Sequence, residues 1–436
     1  MTKALRRGAA ILIHNRPTCP WFEDATTVDE HIAAYARHSR FPFWEVNTDL
    51  GFPPALAQVP VAAVVLHYSI FHTAGYHFDA GFRRFLRETD AYKVAFFQDE
   101  HHFCQQRFLF LNEHHVDCVF TCLEESEFDA VYRRYTNVPT LVSNFPGYVS
   151  EEMIRAAQQF ALPDSERPVD IGYRGRALAP YGGRAALEKA QVAAGFADAA
   201  EEQGLVFDVT AREGERLYGD DWSRFMGSCK GTLGTEAGVS VFDLEDRAYA
   251  EYVRQIRAGG PVTIETLERG PQGDLEGAVY YRTISPRHFE AAAFRVCQIL
   301  FEGRYSGVLE PMVHYLPLKK DFSNAADVLS RFKDPAIRRE LTDNTHRDLI
   351  ASGRYGYATL MQKLDLVLER AGLEPTLASS EVESITATLE LGRRRRQLAT
   401  RLRWEWLRAR LGVTRRIKRL KPSQCRERVD ELAEWA

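Results

Sequence analysis

The chain has 436 residues, of which 45% are hydrophobic, 27% are charged and 11% are aromatic. This composition is typical of globular proteins and excludes a disordered, collagen-like or disulfide-scaffold protein. The length predicts two or three domains, and because no run of about 18 apolar residues occurs, we expect no membrane-spanning helix.

Charge is distributed unevenly along the chain. The net charge is −4, yet residues 393–421 carry thirteen basic side chains and a single acid, Glu405. The rest of the chain is therefore acidic. An acidic body with a basic end argues against nucleic-acid binding and predicts one local partner for the tail.

Cysteine and histidine usage argues against disulfides and metal ions. The seven cysteines are odd in number and lack CxxC spacing, which predicts reduced core thiols and a cytoplasmic location. The thirteen histidines show neither HExxH nor Cys/His zinc spacing, so we expect no metal and no cofactor. The apolar run GAAILIH is not followed by a small-residue cleavage site and is predicted to be a first strand, not a signal peptide.

Residues 1–150 alternate strand-like and helical patterns, which predicts a parallel sheet covered by helices. The strand-like runs are GAAILIH, FPFWEVN, VAAVVLHYSIF, YKVAFFQ, VDCVFTC and PTLVSNF. Amphipathic segments such as VDEHIAAYARHS and FDAGFRRFLRET separate them. A helix, EEMIRAAQQFAL, and the polar stretch PDSERP then form a predicted linker.

A second alternating unit occupies residues 168–372 and begins at the strand VDIGYRGR. The predicted fold class is α/β, with two Rossmann-like, doubly wound domains in tandem. Ligands of such sheets bind at the carboxyl ends of the strands, so we expect a cleft between the domains to hold the site. Residues 387–436 are predicted to form a separate basic helical tail.

Polar residues gather where one buried strand of the first domain ends. The segment FFQDEHHF places Asp99 and His101 at this carboxyl end, which faces the cleft in the predicted architecture. The alternative is that they bond to neighbouring loops.

The segment SPRHFEAAAF has the pattern of a helix start. Ser285 is a good N-cap and Pro286 suits the first turn. The helix then presents Arg287 and Glu290. An arginine beside a helix N-terminus suits phosphate, and the carboxylate is placed to accept hydrogen bonds from a ribose diol. The alternative is a capping box on a solvated turn.

This segment also carries a family resemblance. R-x-F-E-A-A-A followed by a short strand resembles the donor-binding half of group 1 GT-B glycosyltransferases. It looks closest to the spore-maturation-protein-like branch of bacterial surface-polysaccharide clusters. FQDEHHF and SNFPGYVSEEM are similar to the acceptor half of the same group. The resemblance covers roughly residues 90–370 and implies a GT-B fold with a nucleotide-diphosphate sugar as donor substrate.

The resemblance assigns several positions. Glu290 matches the second Glu of the family's E-x7-E pattern and is implied to hold the ribose. The first Glu is replaced by Arg282, a departure that concerns sugar recognition. Glu302 and Glu310 have the same spacing but follow the next strand. The donor is also approached by a loop formed by Tyr305, Ser306 and Gly307.

The implied chemistry is departure of a nucleoside diphosphate from an anomeric carbon. Fixed cations and helix N-termini stabilise the charge that develops on the phosphate without a metal. Arg174 and Arg176, at the end of VDIGYRGR, are the first candidates, and Lys189 on the next helix is a weaker one. The alternative for both arginines is a solvated turn around Gly175.

Two further assignments follow from this chemistry. Glu236, in GTEAG, is a candidate contact to the base or sugar, with an ordinary loop carboxylate as the alternative. Asp99 or His101 is predicted to take the acceptor proton if the reaction inverts configuration. If configuration is retained, these residues would position the acceptor.

The tail is predicted to form an amphipathic helix over residues 393–421 that lies on an anionic membrane surface. A basic helix packed on the acidic body, or a partner-binding helix, is the alternative. Trp404 suits the headgroup boundary, and Gly412 and Pro422 count mildly against one long helix. The apolar stripe comprises Leu398, Leu402, Trp406, Ala409, Val413, Ile417 and Leu420.

Three functions follow from the sequence. The first is a metal-independent glycosyltransferase that acts on a glycan or lipid-linked acceptor in cell-surface polysaccharide synthesis. The second is a GT-B-like binding or scaffold protein of envelope or coat assembly without turnover, which Arg282 favours slightly. The third is a nucleotide-sugar epimerase of the same two-domain shape.

Overall fold

The computed structural model describes residues 6–19, 26–71, 76–176, 178–200, 204–259 and 261–410. Its first half contains six parallel strands in the order β2-β1-β3-β4-β5-β6. These are β1 Ala9–His14, β2 Phe43–Asn47, β3 Val61–Leu66, β4 Tyr92–Phe96, β5 Cys118–Thr121 and β6 Thr140–Ser143. The helices are α1 Thr26–His38, α2 Ala80–Glu88, α3 Cys104–Glu113 and α4 Glu151–Phe160.

The first sheet is buried on both faces, as its continuous apolar strands predict. Every residue of β1 and β4 is buried, and a separate apolar core covers each face. Asp79 starts α2, since its Oδ1 accepts hydrogen bonds from the amides of Gly81 (2.8 Å) and Phe82 (3.0 Å).

The second half begins with β7 Val169–Arg174, α5 Arg184–Ala200, β8 Phe207–Thr210, α6 Gly219–Ser228 and β9 Cys229–Gly234. An excursion follows, made of β10 Ala237–Val241, α7 Arg247–Arg257, α8 Ile264–Glu268, α9 Pro271–Leu275 and β11 Glu276–Thr283. The chain returns through α10 Pro286–Ala293, β12 Cys297–Phe301, β13 Tyr315–Leu318, α11 Ala325–Lys333 and α12 Pro335–Thr345. The second sheet is parallel, in the order β13-β12-β9-β7-β8.

The excursion joins the two halves. β10 and β11 pair antiparallel, and their side chains enter the core on one face of the first sheet, with Phe242 and Tyr281 fully covered. The amide of Asp243 donates to the carbonyl of His101 (2.8 Å), and Asp246 accepts from the amide of Cys104 (2.8 Å).

The C-terminal helices return to the first sheet. These are α13 Tyr357–Arg370, α14 Ser379–Glu390 and α15 Arg393–Arg410. Leu360 and Leu364 of α13 are buried in the core on the other face of that sheet. Buried Asp365 accepts hydrogen bonds from the Ser39 hydroxyl (2.6 Å) and the Arg40 amide (2.9 Å). The sequence assigned residues 168–372 to the second domain. The last helix of that segment, α13, therefore packs on the sheet of the first domain.

These two doubly wound sheets confirm the predicted α/β, two-domain architecture. Among the described residues, no helix is both long and apolar enough to cross a bilayer. The basic tail begins a helix at Arg393, as predicted, while residues 411–421 of the predicted helix lie outside the described residues. The six cysteines of the described chain are buried and free, and Cys425 lies outside it.

Candidate functional site

The switch points of both sheets open onto one cavity of about 1200 Å³. Strand order reverses between β1 and β3 in the first sheet and between β7 and β9 in the second. Ligands of such sheets bind where the order reverses, at the carboxyl ends of the strands. His14 ends β1, Arg174 ends β7, and both line this cavity.

The N-terminal turn of α10 forms part of the cavity wall. Ser285 is the N-cap, as predicted: its hydroxyl accepts from the Arg287 amide (3.4 Å), and His288 Nδ1 accepts from the Ser285 amide (3.0 Å). The capping box proposed as the alternative is thus present, with His288 as its second member. Ser285 nevertheless faces the cavity together with Arg287 and Glu290.

In the part of the chain that the structure describes, Arg287 is held in place by a backbone carbonyl and an aromatic ring instead of by an ion pair with a carboxylate. Its guanidinium donates to the carbonyl of Arg174 and lies 5.4 Å from the centre of the Trp222 ring. Within the described chain it forms no ion pair with an acid. Its position beside a helix N-terminus therefore favours an anion in the cavity.

Glu290 lies on the second turn of α10, after Arg287 on the first. Its Oε2 accepts a hydrogen bond from the Trp222 indole (3.1 Å). Burial raises the pKa of Glu290, and the neighbouring Arg287 and the indole bond act against that rise. The other carboxylate oxygen keeps its capacity to accept hydrogen bonds from a ligand diol.

Arg174 is fixed more firmly than the sequence suggested. It forms an ion pair with Asp208 (2.7 Å), and its guanidinium lies 4.1 Å from the centre of the Phe225 ring. Only 12% of its side chain is exposed, whereas Arg176 beyond the strand is exposed. Arg174 is therefore a preorganised cation at the cavity edge, and Arg176 is not among the residues lining that cavity.

Lys189 brings donor-side and acceptor-side candidates together. Its pKa is lowered to about 8 by burial and then by Arg287, while Asp99 acts in the opposite direction and Arg176 reinforces the lowering. Arg287, Asp99 and Arg176 therefore each lie within electrostatic reach of Lys189. Lys189 is not among the described residues that line the cavity.

Asp99 and His101 are not among the described residues that line the cavity. Asp99 is exposed, with a left-handed backbone (φ 50°). The His101 ring lies against the excursion, 6.0 Å from the centre of the Tyr281 ring. Burial holds the pKa of His101 well below its usual range, so the ring is neutral at pH 7. A base role for either residue stays a prediction.

Glu236 is turned toward the loop that was also assigned to the donor. Its Oε1 accepts from the amides of Arg304 (3.1 Å) and Tyr305 (2.8 Å) and from the Tyr280 hydroxyl (3.0 Å). The Ser306 hydroxyl in turn accepts from the Ile284 amide (3.2 Å). Residues 305–307 all have positive φ, so the Glu236 carboxylate accepts hydrogen bonds from a loop in the left-handed backbone conformation.

Arg282, which stands where the E-x7-E pattern has its first glutamate, lies in a buried network of ion pairs. It is buried, ion-paired with Glu188 (2.5 Å) and 3.8 Å from Glu236. Glu188 also pairs with Lys320 (2.7 Å). A glutamate at position 282 would place a third carboxylate in this buried network, at a high desolvation cost.

Some cavity residues were not found from the sequence. His14 and Glu45 are 3.7 Å apart, and burial, with Arg16, lowers the pKa of His14 to about 4. His14 ends a parallel strand, so the rule that selected Asp99 also applies to it. The other wall comes from the last two helices and comprises Thr386, Leu389, Glu390, Arg393, Arg396 and Gln397.

Among the described residues, no three His, Cys, Asp or Glu side chains come together as a possible metal-binding group. Metal independence remains a prediction about the reaction.

No protein-family model and no curated protein matches the sequence. Several solved structures have a similar backbone. One is an alpha-glucosyltransferase in complex with UDP and a 13-mer DNA containing an HMU base, at 9% identity and a TM-score of 0.46, over 83% of this chain and 99% of that one. Another is sucrose-phosphate synthase from Thermosynechococcus elongatus, at 12% identity and a TM-score of 0.42, over 83% and 98%. TarM has 13% identity and a TM-score of 0.37 over 70% of this chain, which spans 54% of TarM. The likeness is one of backbone alone.

Proposed function

We propose that the protein transfers a sugar from a nucleotide-diphosphate sugar to a hydroxyl group of a glycan or lipid-linked acceptor, without a metal ion. One observation carries the proposal: both switch points and the α10 N-terminus face a single cavity between the two halves. A cavity of about 1200 Å³ has room for both substrates.

The second half supplies the donor wall. The diphosphate would lie at the N-terminus of α10 beside Arg287, and Glu290 would accept hydrogen bonds from the ribose diol. As the bond between the anomeric carbon and the phosphate oxygen breaks, its electron pair moves to that oxygen. Arg174, already fixed by Asp208, would stabilise the charge without reorganising.

The first half supplies the acceptor wall. The acceptor oxygen bonds to the anomeric carbon and releases its proton. For an inverting reaction, we retain Asp99 or His101 as the proposed bases. For a retaining reaction, the same cluster would position the acceptor.

The test is donor-dependent hydrolysis or transfer with UDP-, GDP- and dTDP-sugars, combined with calorimetry of nucleotide binding. Glu290→Gln should weaken binding of the preferred nucleotide, while Glu302→Gln, at an exposed position after β12, serves as the matched control. Nucleotide binding without turnover would favour the scaffold alternative. Absence of binding to every nucleotide would overturn the proposal.

We also propose that α15 attaches the protein to an anionic membrane surface on its cytoplasmic side. Leu398, Leu402 and Trp406 are 58%, 60% and 55% exposed, in one stripe. The opposite side of the helix packs on the body, where Arg403 pairs with Asp49 (2.8 Å) and Thr400 is buried. The helix can therefore pack on the body with one side and face a membrane with the other. Each basic residue near an anionic leaflet contributes about 1 kcal/mol to the free energy of membrane binding.

Flotation of the full chain with phosphatidylglycerol vesicles tests this attachment. The triple change Leu398→Gln, Leu402→Gln and Trp406→Gln should abolish flotation and leave the thermal midpoint unchanged, since these side chains are exposed. Wild-type flotation equal on phosphatidylcholine and phosphatidylglycerol vesicles would contradict the electrostatic part.

A further inference from the structure

The inner side of the last two helices is a fixed wall of the cavity. The Trp44 indole donates to the Thr386 hydroxyl (3.0 Å), and buried Ile385 anchors α14 in the core of the first sheet. Arg403 holds α15 through Asp49. Because α-helical residues three, four and seven apart share a side, Arg393 and Arg396 lie on the same side as buried Thr400.

Arginines outnumber carboxylates among the residues that line the cavity. Six arginines and four carboxylates line it: Arg16, Arg174, Arg216, Arg287, Arg393 and Arg396 against Asp29, Glu45, Glu290 and Glu390. Arg174 is neutralised in part by Asp208, which does not line the cavity. A wall with more arginines than carboxylates favours an anionic ligand.

Arg396 is the least compensated of the arginines on the helical wall. Arg393 pairs with Glu390, whereas Arg396 forms no ion pair with a carboxylate in the described part of the chain. Its Nη1 donates to the Leu391 carbonyl (3.4 Å), while its Nε is shielded from solvent and has no hydrogen-bond partner among the described residues. The two like charges stand three residues apart on one helix, an arrangement that costs free energy unless an anion lies between them.

We propose that Arg393 and Arg396 bind a phosphate group of the acceptor, at the cavity wall formed by the last two helices. This inference rests on the proposed glycosyl transfer and names the class of acceptor. Guanidinium groups match phosphate oxygens through paired hydrogen bonds, and two of them fit a doubly charged phosphoester. The shared chemistry is a phosphoester, carried either by a lipid-linked diphosphate or by a soluble phosphorylated glycan.

Calorimetry of the full-length protein at saturating UDP tests the site, because UDP then occupies the donor wall. Inorganic pyrophosphate is the probe. Relative to wild type, Arg393→Gln/Arg396→Gln should bind it about tenfold more weakly or worse. Arg394→Gln/Arg395→Gln, at exposed neighbouring positions that do not line the cavity, is the matched control and should bind normally.

Farnesyl diphosphate distinguishes the two sources of phosphate. If wild type binds farnesyl diphosphate about tenfold more tightly than pyrophosphate, and Arg393→Gln/Arg396→Gln loses this binding, the acceptor is lipid-linked. Equal affinity of the two probes indicates a soluble phosphorylated one. Arg396→Gln alone keeps the test valid should the double variant fail to fold.

Failures of the two proposals differ. Equal pyrophosphate affinity in wild type and Arg393→Gln/Arg396→Gln, or no binding by wild type, overturns the acceptor site while UDP binding still supports the donor wall. Absence of binding of UDP, GDP and dTDP alike by wild type overturns the proposed function. A loss of pyrophosphate binding confined to Arg393→Gln/Arg396→Gln would then still support the anion site.

Discussion

The first turns of α10 and the 303–307 loop are instructive to compare, because the sequence assigned both to the donor. Each involves a carboxylate, half-buried Glu290 in the first and buried Glu236 in the second. Glu290 accepts one hydrogen bond, from an indole at the cavity edge. One oxygen of Glu236 accepts three, two of them from backbone amides of the loop.

The difference shows that a residue's remaining hydrogen-bonding capacity, more than its type or location, separates a binding group from a structural one. A buried carboxylate whose hydrogen bonds hold the backbone of a neighbouring loop stabilises the fold. One that faces a cavity with an oxygen left over is available to a ligand. The variants below test this distinction.

Glu236→Ala should give the largest effect, on stability. It leaves the Arg304 amide, the buried Tyr305 amide and the Tyr280 hydroxyl without their acceptor, at a cost of about 3 kcal/mol in free energy of unfolding. Denaturant unfolding measures the loss, and Glu236→Gln, which keeps one acceptor oxygen, should lose less. An unchanged midpoint with weakened nucleotide binding would instead place Glu236 in the site.

Arg174→Ala should lower turnover more than donor affinity. A fixed cation acts mainly as charge develops on the departing phosphate, so we expect kcat to fall roughly 100-fold with a small change in KM. Exposed Arg176→Ala is the control and should stay near wild type. Wild-type turnover of Arg174→Ala would move this role to Arg287 or to the helix terminus.

Glu290→Ala should weaken nucleotide binding about tenfold, equivalent to about 1.4 kcal/mol. The thermal midpoint should change little, because among the described residues the hydrogen bond lost is the one from the Trp222 indole at the cavity edge. Calorimetry and thermal unfolding of the same sample report both quantities. Unchanged affinity would make Glu290 a packing residue of α10.

How far the sequence predicts the molecule depends on how local each signal is. The helix start at Ser285 and the strand end at Arg174 follow from adjacent residues, and both were found. The partners of Glu236 lie 44 to 69 positions away, and Arg282 pairs with Glu188 across 94. Neither network leaves a local pattern. The wall made by Arg393 and Arg396 exists only because α15 packs back on the first sheet.

Glu30 reports on contact between the two halves. It lies on α1, its carboxylate accepts from the Ser150 hydroxyl (2.9 Å), and burial raises its pKa to about 7, with Glu290 among the lesser causes of the rise.

Because the folded-state pKa of Glu30 exceeds the unfolded value, its stabilising contribution is full at acidic pH and is lost as the pH rises toward 7. Glu30→Gln removes this dependence and keeps an oxygen for Ser150. It should therefore be more stable than wild type by about 1–2 kcal/mol at pH 8 and nearly equal to it at pH 4.5. Unfolding midpoints across that range measure the difference. Glu30→Gln should also be combined with Glu290→Ala. Because the second change removes the Glu290 charge, the stability that Glu30→Gln adds at pH 8 should then be smaller. If Glu30→Gln adds the same stability with and without Glu290→Ala, the two carboxylates do not interact across the cleft.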